Sequence, residues 1–204
     1  MLPEENGKRY MVQRSQPDNV ALEEEKRLLV AQIRESYGRV VYSHKSHEKA
    51  ADIYLARLQR IKIFQITLSA LTTGSLLYHL FSGNKTGTII AAILSTILFV
   101  LNIYTKEYNL AELSQKHHDT AQRLWRIRES YLSLLTDLTA NALNNKVIRE
   151  KRDDLQDNLN QVYTQAPRTF KQAYEQARKG LHIHQEMTFS EEEIDRLLPE
   201  KMRK

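Results

Sequence analysis

No cysteine occurs in the 204 residues. That excludes disulfides, a thiolate zinc site and a cysteine nucleophile. Glycine and proline are scarce, six and four, too few for a β-rich or disordered chain. Residues 1–20 hold no apolar run, so a cleaved secretory leader is not expected. There is no HExxH, no nucleophile elbow and no glycine-rich phosphate loop; the Lys-Thr pair within 83–87 lacks the spacing of one. The chain is therefore read as a non-enzyme that needs no cofactor and no metal. The most consequential absence is local: across 63–105, Lys85 is the only Asp, Glu, Lys or Arg.

On either side of Lys85 lie two apolar stretches. A membrane-spanning helix needs about 20 mostly apolar residues, and 63–81 and 87–105 each supply that length. Gly83, Asn84 and Gly87 between them are turn formers. A soluble core helix rarely runs so far without a charge on any face. Elsewhere the chain is highly charged, 27% overall with a net charge of +5. The expected fold is all-α: a two-transmembrane helical hairpin extended by a long cytoplasmic helical bundle. Arg57, Arg60 and Lys62 precede the first span, and Lys106, Lys116, Arg123, Arg126 and Arg128 follow the second. Lys and Arg are retained on the cytoplasmic side, so both termini are expected there and the turn outside. Tyr78, Tyr104 and Tyr108 suit the interfacial aromatic belts. The positive charge is assigned to contact with the lipid bilayer. Nucleic acid is not an expected partner, because no basic cluster comes with base-stacking aromatics.

Three regions follow. Residues 1–18 carry Pro3, Gly7 and Pro17 without periodicity and read as a flexible tail. Residues 19–166 read as one helical domain, capped near Asp18 or Asn19. Val30, Ile33, Tyr37, Val40, His44, His47, Ala51, Tyr54, Leu58 and Ile61 alternate at spacings of 3 and 4, a heptad seam. Gly38 is a candidate kink within it. Leu110, Leu113, His117, Thr120, Leu124, Ile127, Tyr131, Leu134 and Leu138 repeat the pattern on the return helix. That helix is expected to run unbroken from Tyr104 past Leu138 and to bend near Asn141, Asn144 and Asn145. Counting outward from the turn sets Ala51 level with His117 and His44 level with Leu124, so the seams zip as an antiparallel hairpin. Pro167 ends the next helical run. Residues 167–204 read as C-terminal cytoplasmic helices, one on Phe170, Ala173, Tyr174 and Ala177 closed by Gly180, the last opened by a capping box at Ser190 and Glu193.

Polar groups within a span need partners. Gln65, Ser69, Thr72, Leu76 and His79 share a face of the first span; Thr88, Ser95 and Asn102 recur every seven residues in the second. They read either as a pore lining, with Leu76 as a hydrophobic constriction, or as packing within one hairpin helped by Ala70, Gly74, Gly87 and Ala91. Two helices cannot enclose water, so a pore requires a homo-oligomer. Trp125, Arg128, Leu132 and Leu135 form a second stripe beside the return seam and are candidate contacts between chains. His44 and His47, one turn apart, read as seam histidines bonding across the bundle rather than as metal ligands.

The run Trp125, Arg128, Glu129, Tyr131, Leu134, Leu135 and Asp137, with the apolar hairpin and the approach Lys49, Ala50, Ala51, Asp52 and Tyr54, resembles the SLATT family. These are the SMODS- and SLOG-associating two-transmembrane effector domains of prokaryotic conflict systems, and the resemblance covers about 41–165. It implies a membrane effector of antiviral defence in the prokaryotic inner membrane. Such an effector oligomerises into a pore or disrupts the membrane, causing suicide or dormancy, when a nucleotide second messenger or a separate sensor protein triggers it. The chain shows no fused nucleotide-sensing or nucleotide-making domain. A membrane-anchored coiled-coil scaffold, or a regulatory subunit without conduction, is the alternative.

Overall fold

The computed structural model describes residues 16–203. The flexible tail expected over 1–18 lies, up to residue 15, outside the described residues. Six α-helices and one 3-10 turn follow in order, with no strand among the described residues. Helix α1, Gln16–Ser82, has 67 residues, about 100 Å at 1.5 Å per residue. Nothing within it forces a break. Pro17 falls in the first turn, where its missing N–H is not needed. At Gly38 and Gly74 no neighbouring atom lies within 4 Å of a built Cβ, and the helix passes through both.

Helix α1 ends at a residue in the left-handed region, Gly83 with φ 68°; its N–H donates to the His79 carbonyl at 2.9 Å. The Asn84 side chain then accepts from the Thr86 N–H at 3.0 Å and the Thr86 hydroxyl at 2.8 Å, turning the chain into α2, Thr86–Glu107. The unbroken return helix expected from Tyr104 is instead two helices. Asn109 caps α3, Leu110–Thr139: its side chain accepts from the Glu112 N–H and donates to the Glu112 carboxylate, both at 3.1 Å. This reciprocal cap is worth about 1 kcal/mol at the start of a new helix, and the partly or fully buried positions shift phase across it, from Thr105 to Leu110. The bend near Asn141 is present, with Asn141 at φ 54° and Asn144 capping α4, Asn145–Gln165. Helix α5, Lys171–His182, runs two residues past Gly180, and α6, Glu191–Leu197, opens on the Ser190 and Glu193 capping box before a 3-10 turn at Glu200–Met202.

Helices α1 and α3 zip along the two seams. Ile33, Val40, His44, His47 and Ala51 are buried on α1, as are Leu110, His117, Thr120, Leu124, Ile127, Tyr131, Leu134 and Leu138 on α3. His117 sits between His47 and Tyr54, with ring centroids 5.0 and 5.5 Å away, which puts it level with Ala51. Helix α4 closes the distal core through Ile148 and Val162. Helix α5 packs on the middle of α1, where Ala173 and Phe170 meet Ala50 and Ile53. Consequently α1 has a second buried face, Leu29, Ser36, Lys45, Ser46, Ala50 and Ile53.

Beyond Ile61 the helix that packs on α1 among the described residues is α2. The two form an antiparallel pair along Gln65, Leu68, Thr72, Ser75 and His79 on α1 and Gly87, Ala91, Leu94, Leu98, Leu101 and Thr105 on α2, the residues at least partly buried there. Much of the remaining surface is apolar and exposed: Ile63, Phe64, Ile66, Leu71, Leu77, Leu80 and Phe81, and Ile89, Ile90, Ile93, Phe99, Val100 and Ile103. One helical run among the described residues, Thr86–Thr139, is long and apolar enough to cross a membrane by length and composition, and its apolar stretch is α2. The last third of α1 is more polar, carrying Gln65, Thr67, Ser69, Thr72, Thr73, Ser75 and His79.

Candidate functional site

The polar residues singled out in the apolar pair divide into two groups. Gln65, Thr72 and His79 are half-buried and face α2, whereas Ser69, Leu76, Thr88, Ser95 and Asn102 are exposed. Gln65 Nε2 donates to Asn102 Oδ1 at 2.9 Å, joining the two helices. That bond fixes the register and the side. Ser69 and Leu76 stack 4 and 11 residues beyond Gln65, close to whole turns, while Ser95 and Thr88 stand 7 and 14 residues before Asn102. All five positions therefore continue one face of the hairpin, the face at whose foot Gln65 meets Asn102. Around the helices, Phe64, Leu71, Ile90, Ile93, Ile97 and Val100 dominate the other face, with the back-bonded Thr67 and Thr96 among them.

The hydroxyls are satisfied locally. Ser69, Thr72, Thr73 and Ser75 each donate to the carbonyl four residues earlier, at 2.8–3.0 Å. Ser95 and Thr96 donate to Ala92 O at 3.0 and 2.9 Å. Such back-bonding makes a Ser or Thr tolerable in a low-dielectric surround and leaves its lone pairs free to accept from water. The His79 ring is tied to the Asn84 carbonyl through Nδ1 at 2.9 Å. Close approach of the helices at the turn comes from Gly87 rather than Gly74, which borders open space.

Of the four residues on the second stripe of α3, Trp125 and Leu132 are exposed. Arg128 and Leu135 have partners within the chain. The Arg128 guanidinium lies 3.7 Å from the Trp125 ring centre, donates to the Glu129 carboxylate at 2.6 Å, and points at Met187. Leu135 packs on the main core.

Sequence reasoning missed a second cluster, on the buried face of α1. Glu186 bridges Lys45 at 2.7 Å and Lys49 at 3.3 Å. Gln185 and Met187 on either side of it take positive φ, 49° and 72°, a conformation costing about 1–2 kcal/mol for such residues. These contacts fasten the segment after α5 to α1. Beneath lie the histidines. His47 Nδ1 and His117 Nδ1 share a hydrogen bond of 2.9 Å, and the His44 ring stands 5.4 Å from Trp125. Burial first, then the neighbouring His117 and His44, push His47 down to about 4; burial also lowers His117 and His44. No three His, Cys, Asp or Glu among the described residues form a metal site. A pattern of paired seam histidines was visible in the sequence; the link from Lys45 to Glu186, across 141 residues, carried no local signal.

Comparison with known proteins gives one finding. The model of the SMODS and SLOG-associating 2TM effector domain family 4 matches residues 29–193, which takes in the hairpin, the seams, α4, α5 and the start of α6. No curated protein and no solved structure matches the chain.

Proposed function

Since the chain belongs to the SMODS and SLOG-associating 2TM effector domain family, we propose that 63–81 and 87–105 both cross the inner membrane of a prokaryotic cell. In this reading several copies assemble, turn their polar faces to a common axis, and pass ions as a defence response. The observation that carries it is the uneven sorting of the hairpin, with Ser69, Leu76, Thr88, Ser95 and Asn102 on one exposed face and mainly apolar residues on the other. A lone hairpin in lipid gains nothing from such sorting. A ring of hairpins puts the apolar face on lipid and the polar face on water.

By the register of the Gln65–Asn102 bond, Leu76 lies between the levels of Thr88 and Ser95. It is a large apolar side chain in the middle of the polar face, with Leu80 one turn farther along, and serves as a dewetting constriction. Leu76→Ser should raise the untriggered leak in planar bilayers about tenfold, the factor carried by ~1.4 kcal/mol, which is less than the transfer free energy of one leucine. Ser95→Leu should narrow the same path and lower single-channel conductance. Gln65→Leu is a poorer probe, because it strands Asn102 at a cost of about 1–3 kcal/mol and loosens the hairpin itself. An oligomer of verified size that stays silent as wild type and as Leu76→Ser would leave a membrane-anchored scaffold in its place.

Orientation has its own test. Cytoplasmic termini and an external turn follow from Arg57, Arg60, Lys62 and Lys106 flanking the pair against Lys85 alone in the turn. The absence of native cysteine makes labelling unambiguous. Lys85→Cys should react with an impermeant thiol reagent added outside intact cells, and Met202→Cys should not. The reverse pattern means the opposite orientation.

A further inference from the structure

We propose that the conduction path selects small inorganic anions, because the charges at both of its mouths are lysines and no carboxylate shares the polar face. The inference rests on the conducting oligomer described above and adds the class of ion it carries.

The geometry starts from the Gln65–Asn102 bond. Lys62 stands three residues before Gln65, and Lys106 four residues after Asn102. Both displacements are close to one helical turn, so both side chains continue the polar face, about 5–6 Å below the bond toward the cytoplasm. Both are exposed, and neither joins an ion pair among the described residues. Several cations of the bundle behave differently. Arg27, Arg39, Lys45, Lys49, Lys116, Arg128, Lys151 and Arg152 each have a carboxylate partner within 4 Å. At the far end the turn presents Lys85, also exposed and without an ion pair among the described residues.

Carboxylates are kept off this face. None occurs between Lys62 and Lys106. Glu107 lies five residues from Asn102, about 140° round the helix. Asp52 is offset from Gln65 by a similar angle and lies about 20 Å farther from the membrane. Glu112, past the break, is held by Lys116 and Asn109. In an assembly with this face inward, each chain contributes Lys62 and Lys106 to a ring at the inner mouth and Lys85 to a ring at the outer one. Rings of Lys draw anions in and hold cations out. The hydroxyl-lined wall between them is uncharged, so the rings set the sign of the permeant ion.

The experiment is a reversal-potential measurement in planar bilayers under asymmetric KCl. It uses the full chain at verified oligomer size, both as wild type and in the leaky Leu76→Ser background. The expected chloride-to-potassium permeability ratio is about 3 or more, the scale of a Lys ring acting through water at several ångströms. Lys62→Gln with Lys106→Gln should bring it toward 1, and Lys62→Glu with Lys106→Glu should invert it. Lys62→Arg with Lys106→Arg should keep it, which separates charge from side-chain shape. Arg60→Gln, on the other side of the helix, should leave it unchanged. A ratio at or below 1 before any substitution, or one indifferent to charge reversal while current persists, overturns the selectivity and spares the pore. Silence in both backgrounds overturns the pore and the selectivity together.

Discussion

Gly87→Ala should pry apart the apolar helices at the end nearest their turn. A Cβ at Gly87 would stand 2.4 Å from the Ser75 carbonyl oxygen and 3.0 Å from the His79 backbone nitrogen. Both obstacles are main chain, so no rotamer change relieves the clash; α2 must move away from α1. Overpacking of this kind costs about 1–3 kcal/mol. Here it also removes the close approach that lets small residues hold two helices together in lipid. Ala91, one turn on and 3% exposed, depends on the same contact. The measurement is disulfide formation between Ser75→Cys and Ala91→Cys in the otherwise cysteine-free chain. Its rate should fall about tenfold when Gly87 becomes Ala, in line with ~1.4 kcal/mol. Gly74→Ala is the internal control. It meets nothing within 4 Å, and an Ala there should leave the cross-link rate alone while favouring the helix by up to about 1 kcal/mol. Equal effects at the two glycines would mean that the helices are not packed through Gly87.

The contrast between these glycines shows what the sequence can carry. Periodicity identified both seams, because spacings of 3 and 4 need only the local helix to be known; Ile33, Val40, Leu124, Tyr131 and their neighbours are buried where that pattern places them. Periodicity says nothing about which of two glycines in apolar helices meets a backbone, since that depends on the register of the partner. It also reports one partner at a time. The second buried face of α1 exists because α4 and α5 return to it, and Lys45 is buried through Glu186, which lies 141 residues later. The break before α3 was legible in principle. Asn109 followed by Glu112 is a capping signature, and the partly or fully buried positions slip phase there, stepping five residues from Thr105 to Leu110. For the polar face, the heptad positions could be read, but not the sorting. Gln65 and Asn102 were recognisable as candidates to pair; only the hydrogen bond between them shows that Ser69, Leu76, Thr88 and Ser95 lie on one side.

Mild acid should loosen the bundle at its join with the hairpin, well before carboxylates titrate. His44, His47 and His117 are 4%, 4% and 1% exposed, and the His47–His117 bond requires one imidazole nitrogen to accept. Cations face the cluster from its surroundings, Lys45 and Lys49 on α1 and Arg128 on α3; Glu48 and Glu186 are the nearby anions. His47 is pushed down to about 4 from an ordinary 6.5, by burial first and by His117 and His44 after it. The unfolded chain therefore binds a proton that the folded chain refuses, and stability falls as pH drops from about 6.5 to about 4, levelling below that. At 1.36 kcal/mol per pKa unit, His47 alone contributes on the order of 3 kcal/mol over the window, and the lowered His44 and His117 act in the same direction. Glu186 cannot produce this slope. Its hydrogen bond to Lys45 lowers its pKa below 4.5, so its contribution is intact above that value and is lost only beneath it. The urea midpoint of the full chain in lipid nanodiscs should accordingly fall between pH 6.5 and 4.5, with hydrogen-exchange protection lost first around 44–51 and 114–121. Gln in place of both His47 and His117 keeps a donor and an acceptor but cannot take the proton. That variant should start less stable at pH 7 and lose little more on acidification; a slope as steep as wild type would place the acid sensitivity elsewhere in the chain.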